Sequence, residues 1–158
     1  MERIRAIRRL DARHHFALVC RDLAEIAQYA RVDNSPFRLM KATTPGSYTF
    51  ILQATREVPK RLLHPSRRTI GLRVPDHKVA QALLAELGEP LLSSTLLLPD
   101  DEAPLNDADE IRERLERQVD AVLDSGSCGI VPTTVVDLTD DTPVITRVGK
   151  GSTAPFMQ

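Results

Sequence analysis

Twice in this chain an apolar, strand-like run ends within two residues of an aspartate placed to cap a helix. That repeated order limits the folds open to it more than any other feature. His15-Phe16-Ala17-Leu18-Val19-Cys20 is followed by Asp22, and Thr69-Ile70-Gly71-Leu72-Arg73-Val74 by Pro75 and Asp76. An aspartate ahead of a helix accepts from one of the backbone N–H groups the first turn leaves open. Past Asp22, Leu23, Ile26, Ala27 and Ala30 share one side. Past Asp76, Val79, Ala80, Leu83, Leu84 and Leu87 share one face and Gly88 stops the helix. Strands that feed directly into helices predict a sheet with helices packed on it.

The remaining elements fit that plan. Ile4, Ile7 and Leu10 predict a helix over Glu2 to Leu10, and Asn34-Ser35-Pro36 opens another that runs to about Lys41. Pro45-Gly46 is a turn before the strand Tyr48-Thr49-Phe50-Ile51-Leu52. Leu91 to Leu98 reads as a buried strand running into a loop, and Asp107 to Asp124 as the longest helix, on Ile111, Leu115, Val119 and Val122. Thr133 to Leu138 and Val144 to Val148, joined by Thr139-Asp140-Asp141-Thr142, form a hairpin. The expected architecture is an α/β mixed sheet with flanking helices in one domain over residues 1–150, followed by a loose tail over 151–158.

Composition narrows the classes. The chain is 42% hydrophobic and 27% charged, which suits a soluble domain with a core. No apolar run is long enough to span a bilayer, and Met1-Glu2-Arg3-Ile4-Arg5 carries no signal core, so a cytoplasmic protein without membrane contact is expected. Cys20 and Cys128 stand apart from any Cys-x-x-Cys or Cys/His cluster, which points to two reduced thiols and no tightly bound metal. The net charge is −1, yet arginines crowd residues 3–21, and Lys60, Arg61, Arg67, Arg68 and Arg73 form a second basic stretch. Basic faces attract phosphates; a solvated helix surface is the other reading.

The common catalytic templates are missing. There is no Gly-x-Gly-x-x-Gly, no phosphate-loop Gly-Lys-Ser/Thr and no Gly-x-Ser-x-Gly. His14 and His15, adjacent in a strand, point to opposite faces and cannot share a metal, and His64 and His77 sit near loops with no obvious partner. What remains is a set of hydroxyls and arginines near strand ends. Thr69 and Arg73 share a strand face, Ser93 and Thr95 share another, and Thr133 and Arg147 lie on the two strands of the hairpin. Guanidinium forks with hydroxyl donors suit a phosphate or a carboxylate. The other reading has the hydroxyls bonding local backbone and the arginines in surface ion pairs.

Five stretches in this order resemble one family. They are Pro45-Gly46 with Tyr48-Thr49-Phe50-Ile51-Leu52, Thr69 to Pro75, Gly88-Glu89-Pro90-Leu91-Leu92-Ser93-Ser94-Thr95, Pro132-Thr133-Thr134-Val135-Val136-Asp137, and Arg147-Val148-Gly149. Together they resemble the YrdC/YciO family of threonylcarbamoyl-adenylate synthase-like proteins, in its YciO branch, over nearly the whole chain. The resemblance implies a twisted, open α/β sheet with a basic concave surface. It implies use of ATP, with magnesium, and L-threonine as substrates. With bicarbonate these give threonylcarbamoyl-AMP, which serves the t6A modification of tRNA. Carried over by motif, Thr69, Thr95 and Arg147, with Arg8 and His14, would contact the nucleotide. Arg73, Ser93 and Thr133 would hold threonine. Lys60, Arg61, Arg67 and Arg68 would serve a tRNA or double-stranded RNA, which is the whole function in the alternative of a non-catalytic RNA-binding module. No catalytic side chain is assigned: a reaction that forms a mixed anhydride needs positioning and charge stabilisation more than a nucleophile.

Three positions depart from the family pattern. Arg8-Arg9-Leu10-Asp11 stands where the family has Lys-x-Arg-Pro, so Leu10 replaces a charge. Thr95-x-Leu97 stands for Ser-x-Asn, so Leu97 replaces a side chain that can hydrogen-bond. A Pro-Thr-Asp-Thr-x-Tyr-Gly-Leu-Gly stretch has no counterpart, and the chain is expected to lack the family's N-terminal segment. The edge or apolar patch this leaves is expected to invite association.

Overall fold

The computed structural model describes residues 1–157. The chain divides into two compact units, one of residues 15–93 with 132–158 and one of residues 1–14 with 94–131.

The larger unit holds a six-stranded mixed sheet of β1 (Ala17–Val19), β2 (Tyr48–Gln53), β3 (Thr69–Arg73), β4 (Leu91–Ser93), β5 (Thr134–Asp137) and β6 (Val144–Arg147), in the order β4-β1-β3-β2-β5-β6. The pairs β1/β3 and β2/β5 are parallel, whereas β4/β1, β3/β2 and β5/β6 are antiparallel. Alternation sorts the side chains. Leu18, Leu72, Phe50, Leu52, Ile70 and Val136 point to one face and are buried there. Against them pack Leu23, Ile26 and Tyr29 of α1 (Leu23–Tyr29) and Leu39 and Met40 of α2 (Asn34–Thr43). The capping predicted for Asp22 is present, its carboxylate accepting from Glu25 N–H at 2.9 Å.

The C-terminal segment, expected to be loose, is packed instead. Phe156 lies 5.5 Å from Tyr48 and 6.2 Å from Phe50, centroid to centroid, and is 4% exposed. The Tyr48 hydroxyl donates to Ser152 O at 2.9 Å. An aromatic that joins such a cluster removes a large apolar area from water, which outweighs ordering a short tail.

The third helix, α3 (Lys78–Leu87), is capped by His77, whose Nδ1 accepts from Ala80 N–H at 3.3 Å; Asp76, the predicted cap, stands one residue outside. Gly88 closes the helix with φ 71, a left-handed conformation that glycine takes without strain.

The smaller unit contains α4 (Glu2–Arg8) and α5 (Ala108–Leu115). The long helix predicted to reach Asp124 ends at Leu115, where the N–H groups of Gln118 and Val119 both turn back to the Leu115 carbonyl. Of its predicted apolar stripe only Leu115 is buried. Val119 and Val122 are half-exposed, and β-branched residues without packing do not sustain a helix. Likewise the run from Leu91 gives a strand of three residues only, so Ser93 is its last and Thr95 lies beyond it.

Candidate anion site on the second face of the sheet

The face of the sheet opposite the core carries Thr49 on β2, Gly71 and Arg73 on β3, and Val135 on β5, by the same alternation. Arg147 reaches that face through an irregularity. Ile145 pairs with Val136 but Arg147 pairs with Val135, so Thr146 is one extra residue in β6. Two residues apart, Ile145 and Arg147 would otherwise share a face. The bulge turns Arg147 to the other side.

There the guanidinium of Arg147 donates to Thr133. Nε and Nη2 reach the Thr133 carbonyl at 3.0 and 2.8 Å, and Nη2 also reaches Oγ1 at 3.0 Å. The Thr133 and Thr49 hydroxyls lie 2.8 Å apart. Arg147 donates into Thr133 Oγ1, either hydroxyl of the Thr133–Thr49 pair can be the donor between them, and the three side chains form one hydrogen-bonded chain. Gly149 allows the approach: a Cβ there would lie 2.6 Å from the Thr133 carbonyl carbon and from its oxygen. The Arg-x-Gly spacing is thus a packing requirement as well as a motif.

Arg73 completes the group. Its Nε is buried and has no hydrogen-bond partner in the structure. Burial, and secondarily the positive charge of Arg147, pushes its pKa down. Among the described residues neither Arg73 nor Arg147 has an ion-pair partner, so the surface-pair reading fails for both. On the same face Gly71 leaves little room for a side chain: a Cβ there would lie 3.2 Å from Thr49 Cγ2 and 3.6 Å from Ala17 Cβ. Two guanidinium groups of like charge, one carrying a buried unused donor, are the chemistry that suits an anion.

The other predicted site residues divide between the units. Thr69 lies on the same sheet face but is 5% exposed. Ser93 spends its hydroxyl on Ala17 O at 3.3 Å, a backbone group of the neighbouring strand rather than a local one. The expectation that Ser93 and Thr95 share a strand face fails, because Thr95 is outside the strand and in the smaller unit. In that unit Arg8 donates through Nε to Leu97 O at 2.9 Å and through Nη1 to Ser94 Oγ, and His14 Nε2 lies 3.3 Å from the same Ser94 oxygen. Burial lowers the pKa of Arg8. Thr95 is exposed beside them. The position of Leu97 therefore contributes a backbone carbonyl.

The basic stretch is only partly available to a ligand. Arg67 donates to Asp137 at 2.8 Å and to Thr139 Oγ1 at 2.9 Å, whereas Lys60, Arg61 and Arg68 are exposed. Burial pushes the Asp137 carboxyl up, but the hydrogen bonds from Thr139 and Arg67 outweigh it, so the net shift is downward. His15 and His64, neither in a strand, stack at 4.7 Å with planes 12° apart, which corrects the view of His64 as unpartnered. Burial first, then His64 and Arg67, lower the pKa of His15. Among the described residues no group of three or more His, Cys, Asp or Glu side chains is placed to hold a metal.

Two site residues went unassigned in the sequence. Thr49 stood inside a quoted motif without a role, and Ser94 lay between two hydroxyls that did receive one. Period-two alternation placed Thr49 opposite Tyr48 and Phe50; its neighbours on that face required the sheet order.

A family model described as Telomere recombination, for Sua5, YciO and YrdC, matches residues 1–149. The chain is 57% identical over 157 residues to the uncharacterized protein YciO of Escherichia coli (strain K12), covering 99% of this chain and 76% of that one. The crystal structure of E. coli YciO superposes with a TM-score of 0.94 over the same shares of the two chains. The threonylcarbamoyl-AMP synthase of Bacillus subtilis (strain 168) is 32% identical over 112 residues, 70% of this chain and 32% of that protein. P. abyssi Sua5 complexed with L-threonine shares the fold, with a TM-score of 0.84 at 22% identity over 94% of this chain and 44% of that one. This chain belongs to the Sua5/YciO/YrdC family.

Proposed function

We propose that the Arg73–Arg147 site receives a phosphate or carboxylate of a small-molecule substrate, and that the chain takes part in a threonylcarbamoyl-adenylate synthase-like reaction. The observation that carries the anion site is the buried, unpartnered Nε of Arg73 beside a second arginine that has no acid. The family supports the reaction. In it the threonine amine bonds to the carbon of bicarbonate with loss of water. A carbamate oxygen then attacks the α-phosphorus of ATP, and the α–β bond breaks to release pyrophosphate. Negative charge on phosphate oxygens is what a fixed guanidinium stabilises. Arg147, held by Thr133, supplies a fork that need not reorganise, and Arg73 supplies a donor that has lost its water. Magnesium enters with ATP as part of the substrate.

Titration calorimetry with Mg-ATP, AMP, pyrophosphate and L-threonine tests the site. At least one binds, and its affinity drops about tenfold or more in Arg73→Gln, in line with the loss of one charge-assisted hydrogen bond. Unchanged affinity in both Arg73→Gln and Arg147→Gln would sink the assignment. Pyrophosphate release that requires threonine, bicarbonate and ATP together tests the reaction.

A second reading rests on the exposed Lys60, Arg61 and Arg68, which have no ion-pair partner among the described residues. These suit the phosphates of a double-stranded RNA or a tRNA. Three such contacts predict an affinity that falls with salt at a log–log slope of about −2 to −3 and weakens in Arg61→Glu/Arg68→Glu. Salt-independent binding rejects this reading.

A further inference from the structure

Just past the carboxyl ends of the parallel strands β1 and β3 the larger unit holds a cavity of about 480 Å³. It is distinct from the anion site. Arg73 sends its side chain to the second face of the sheet, whereas the next residue, Val74, belongs to the core cluster and lines this cavity. Leu23, Pro45 and Pro75 line it with Val74, so part of its wall is apolar. That wall is fixed from three directions. Cys20 N–H donates to Arg73 O at 2.8 Å, Gly46 N–H to Val74 O at 3.0 Å and Gln81 Nε2 to Pro75 O at 2.8 Å.

Three cations stand around the apolar wall, each from a different segment. Arg21 comes from the turn between β1 and α1, Lys41 from the last turn of α2, and Lys78 from the first residue of α3. All three are exposed. Among the described residues Lys41 and Lys78 have no ion-pair partner, and Arg21 has only its chain neighbour Asp22, at 3.3 Å. Two acids line the same cavity. Asp22 is already the cap of α1, which leaves Asp76 as the one acid there without an ion pair. His77 Nδ1 accepts from Ala80 N–H, so the neutral ring carries its proton on Nε2 and adds a donor.

We propose that this cavity binds a small amphipathic anion, its apolar body against Leu23, Pro45, Val74 and Pro75 and its carboxylate or phosphate held by Lys41, Lys78 and Arg21. Its volume lies within the roughly 300–1,000 Å³ of small-molecule sites. An apolar wall ringed by a few polar groups suits a ligand of mixed character better than a bare ion. The unpaired cations outnumber the unpaired acid, which sets the sign of the ligand, and lysine stems bring their charge to it without moving the backbone. Exposed ammonium groups are screened, so the affinity is modest. A ligand of about ten non-hydrogen atoms should have a dissociation constant on the order of 1 mM. The site does not rest on the reading of the anion site given above.

Amide-resolved NMR titration of the full chain reads it. Phenyl phosphate and phenylacetate are the probes; inorganic phosphate lacks the ring and benzyl alcohol lacks the charge. We expect saturable shifts at the amides of Leu23, Gly46 and Gln81 with at least one probe, and binding about tenfold or more weaker for both controls. The tighter probe identifies the head group. Lys41→Glu/Lys78→Glu weakens binding about tenfold or more and Asp76→Asn strengthens it about twofold. All three positions are exposed, and the dispersion of each spectrum reports folding. Shifts confined to Thr49, Thr133 and Arg147 would report the anion site alone and overturn the second site, whereas shifts at Leu23, Gly46 and Gln81 uphold it whatever those three residues do. Benzyl alcohol binding as tightly as the anions, or an affinity indifferent to both the double reversal and Asp76→Asn, also overturns it.

Discussion

At the scale of single residues, the candidate site is a problem of where protons point. Arg147 can donate only, so the Thr133 hydroxyl accepts from it, and between the Thr133 and Thr49 hydroxyls either can be the donor. Thr49→Val removes the partner hydroxyl and keeps the shape. We expect it to lower anion affinity about three- to tenfold while unfolding stability changes by about 1 kcal/mol, the usual size of one hydrogen bond. Calorimetric titration beside a denaturant melt separates the two, and a variant with normal affinity would place Thr49 outside the site. The two cysteines behave oppositely for an equally local reason. Burial, then the charges of Glu25 and Asp22, pushes the Cys20 thiol up to about 12, whereas Cys128 is exposed. Because the thiolate is the reactive species, a thiol-disulfide reagent at pH 8 should label one cysteine in the native protein and two in denaturant. Fast labelling of Cys20 in the native state would contradict its burial.

At the scale of elements, the bulge in β6 decides which face Arg147 serves. Alternation read from the sequence put Thr133 at the start of one hairpin strand and Arg147 near the end of the other, and it could not place them on one face. The extra residue Thr146 does so. Deleting Thr146 removes the bulge and leaves Arg147 directly after Ile145, so strict alternation keeps it on the second face, across from Val135. The expected outcome is a folded sheet by far-ultraviolet circular dichroism with anion binding retained. Binding reduced to the level of Arg147→Gln would mean that Thr146 does more than take up the extra residue. The helices show the complementary lesson. The cap at Asp22 was legible because a capping carboxylate needs only its own next three residues, whereas the cap expected at Asp76 fell to His77 and Asp107, read as the first residue of its helix, is the cap of α5. The end of α5 was not, because Val119 and Val122 fit a helical period and fail only for want of anything to pack against.

At the scale of the whole molecule, pH dependence reports groups that belong to no one element. His15 has its pKa lowered by burial and by the positive charges of His64 and Arg67. The folded state therefore resists its protonation. That stability is fully present above the ordinary histidine value of about 6.5 and is lost as the pH falls below it. Asp137 is held down by Thr139 and Arg67 against its burial, so its contribution persists to lower pH and disappears as the pH falls through the depressed carboxyl value. Denaturant melts from pH 8 to 3 should show a plateau and then two successive losses. His64→Gln should shallow the first without abolishing it, since burial, the larger cause, remains. A first loss unchanged in that variant would remove the stacked pair from the account.

Strand and helix identities, the hairpin, the cap at Asp22 and the family likeness were all written in short-range pattern, because each depends on neighbours within a few residues of chain. Five ordered motifs named the family without any knowledge of strand order. The tertiary structure alone decided that Arg73, Arg147, Thr133 and Thr49 share a face, that Phe156 closes the core from the far end of the chain, and that Arg21, Lys41 and Lys78 meet around one cavity. Those outcomes depend on pairing between strands tens of residues apart and on one inserted residue in β6, and a one-residue shift in register moves a side chain to the opposite face of a sheet.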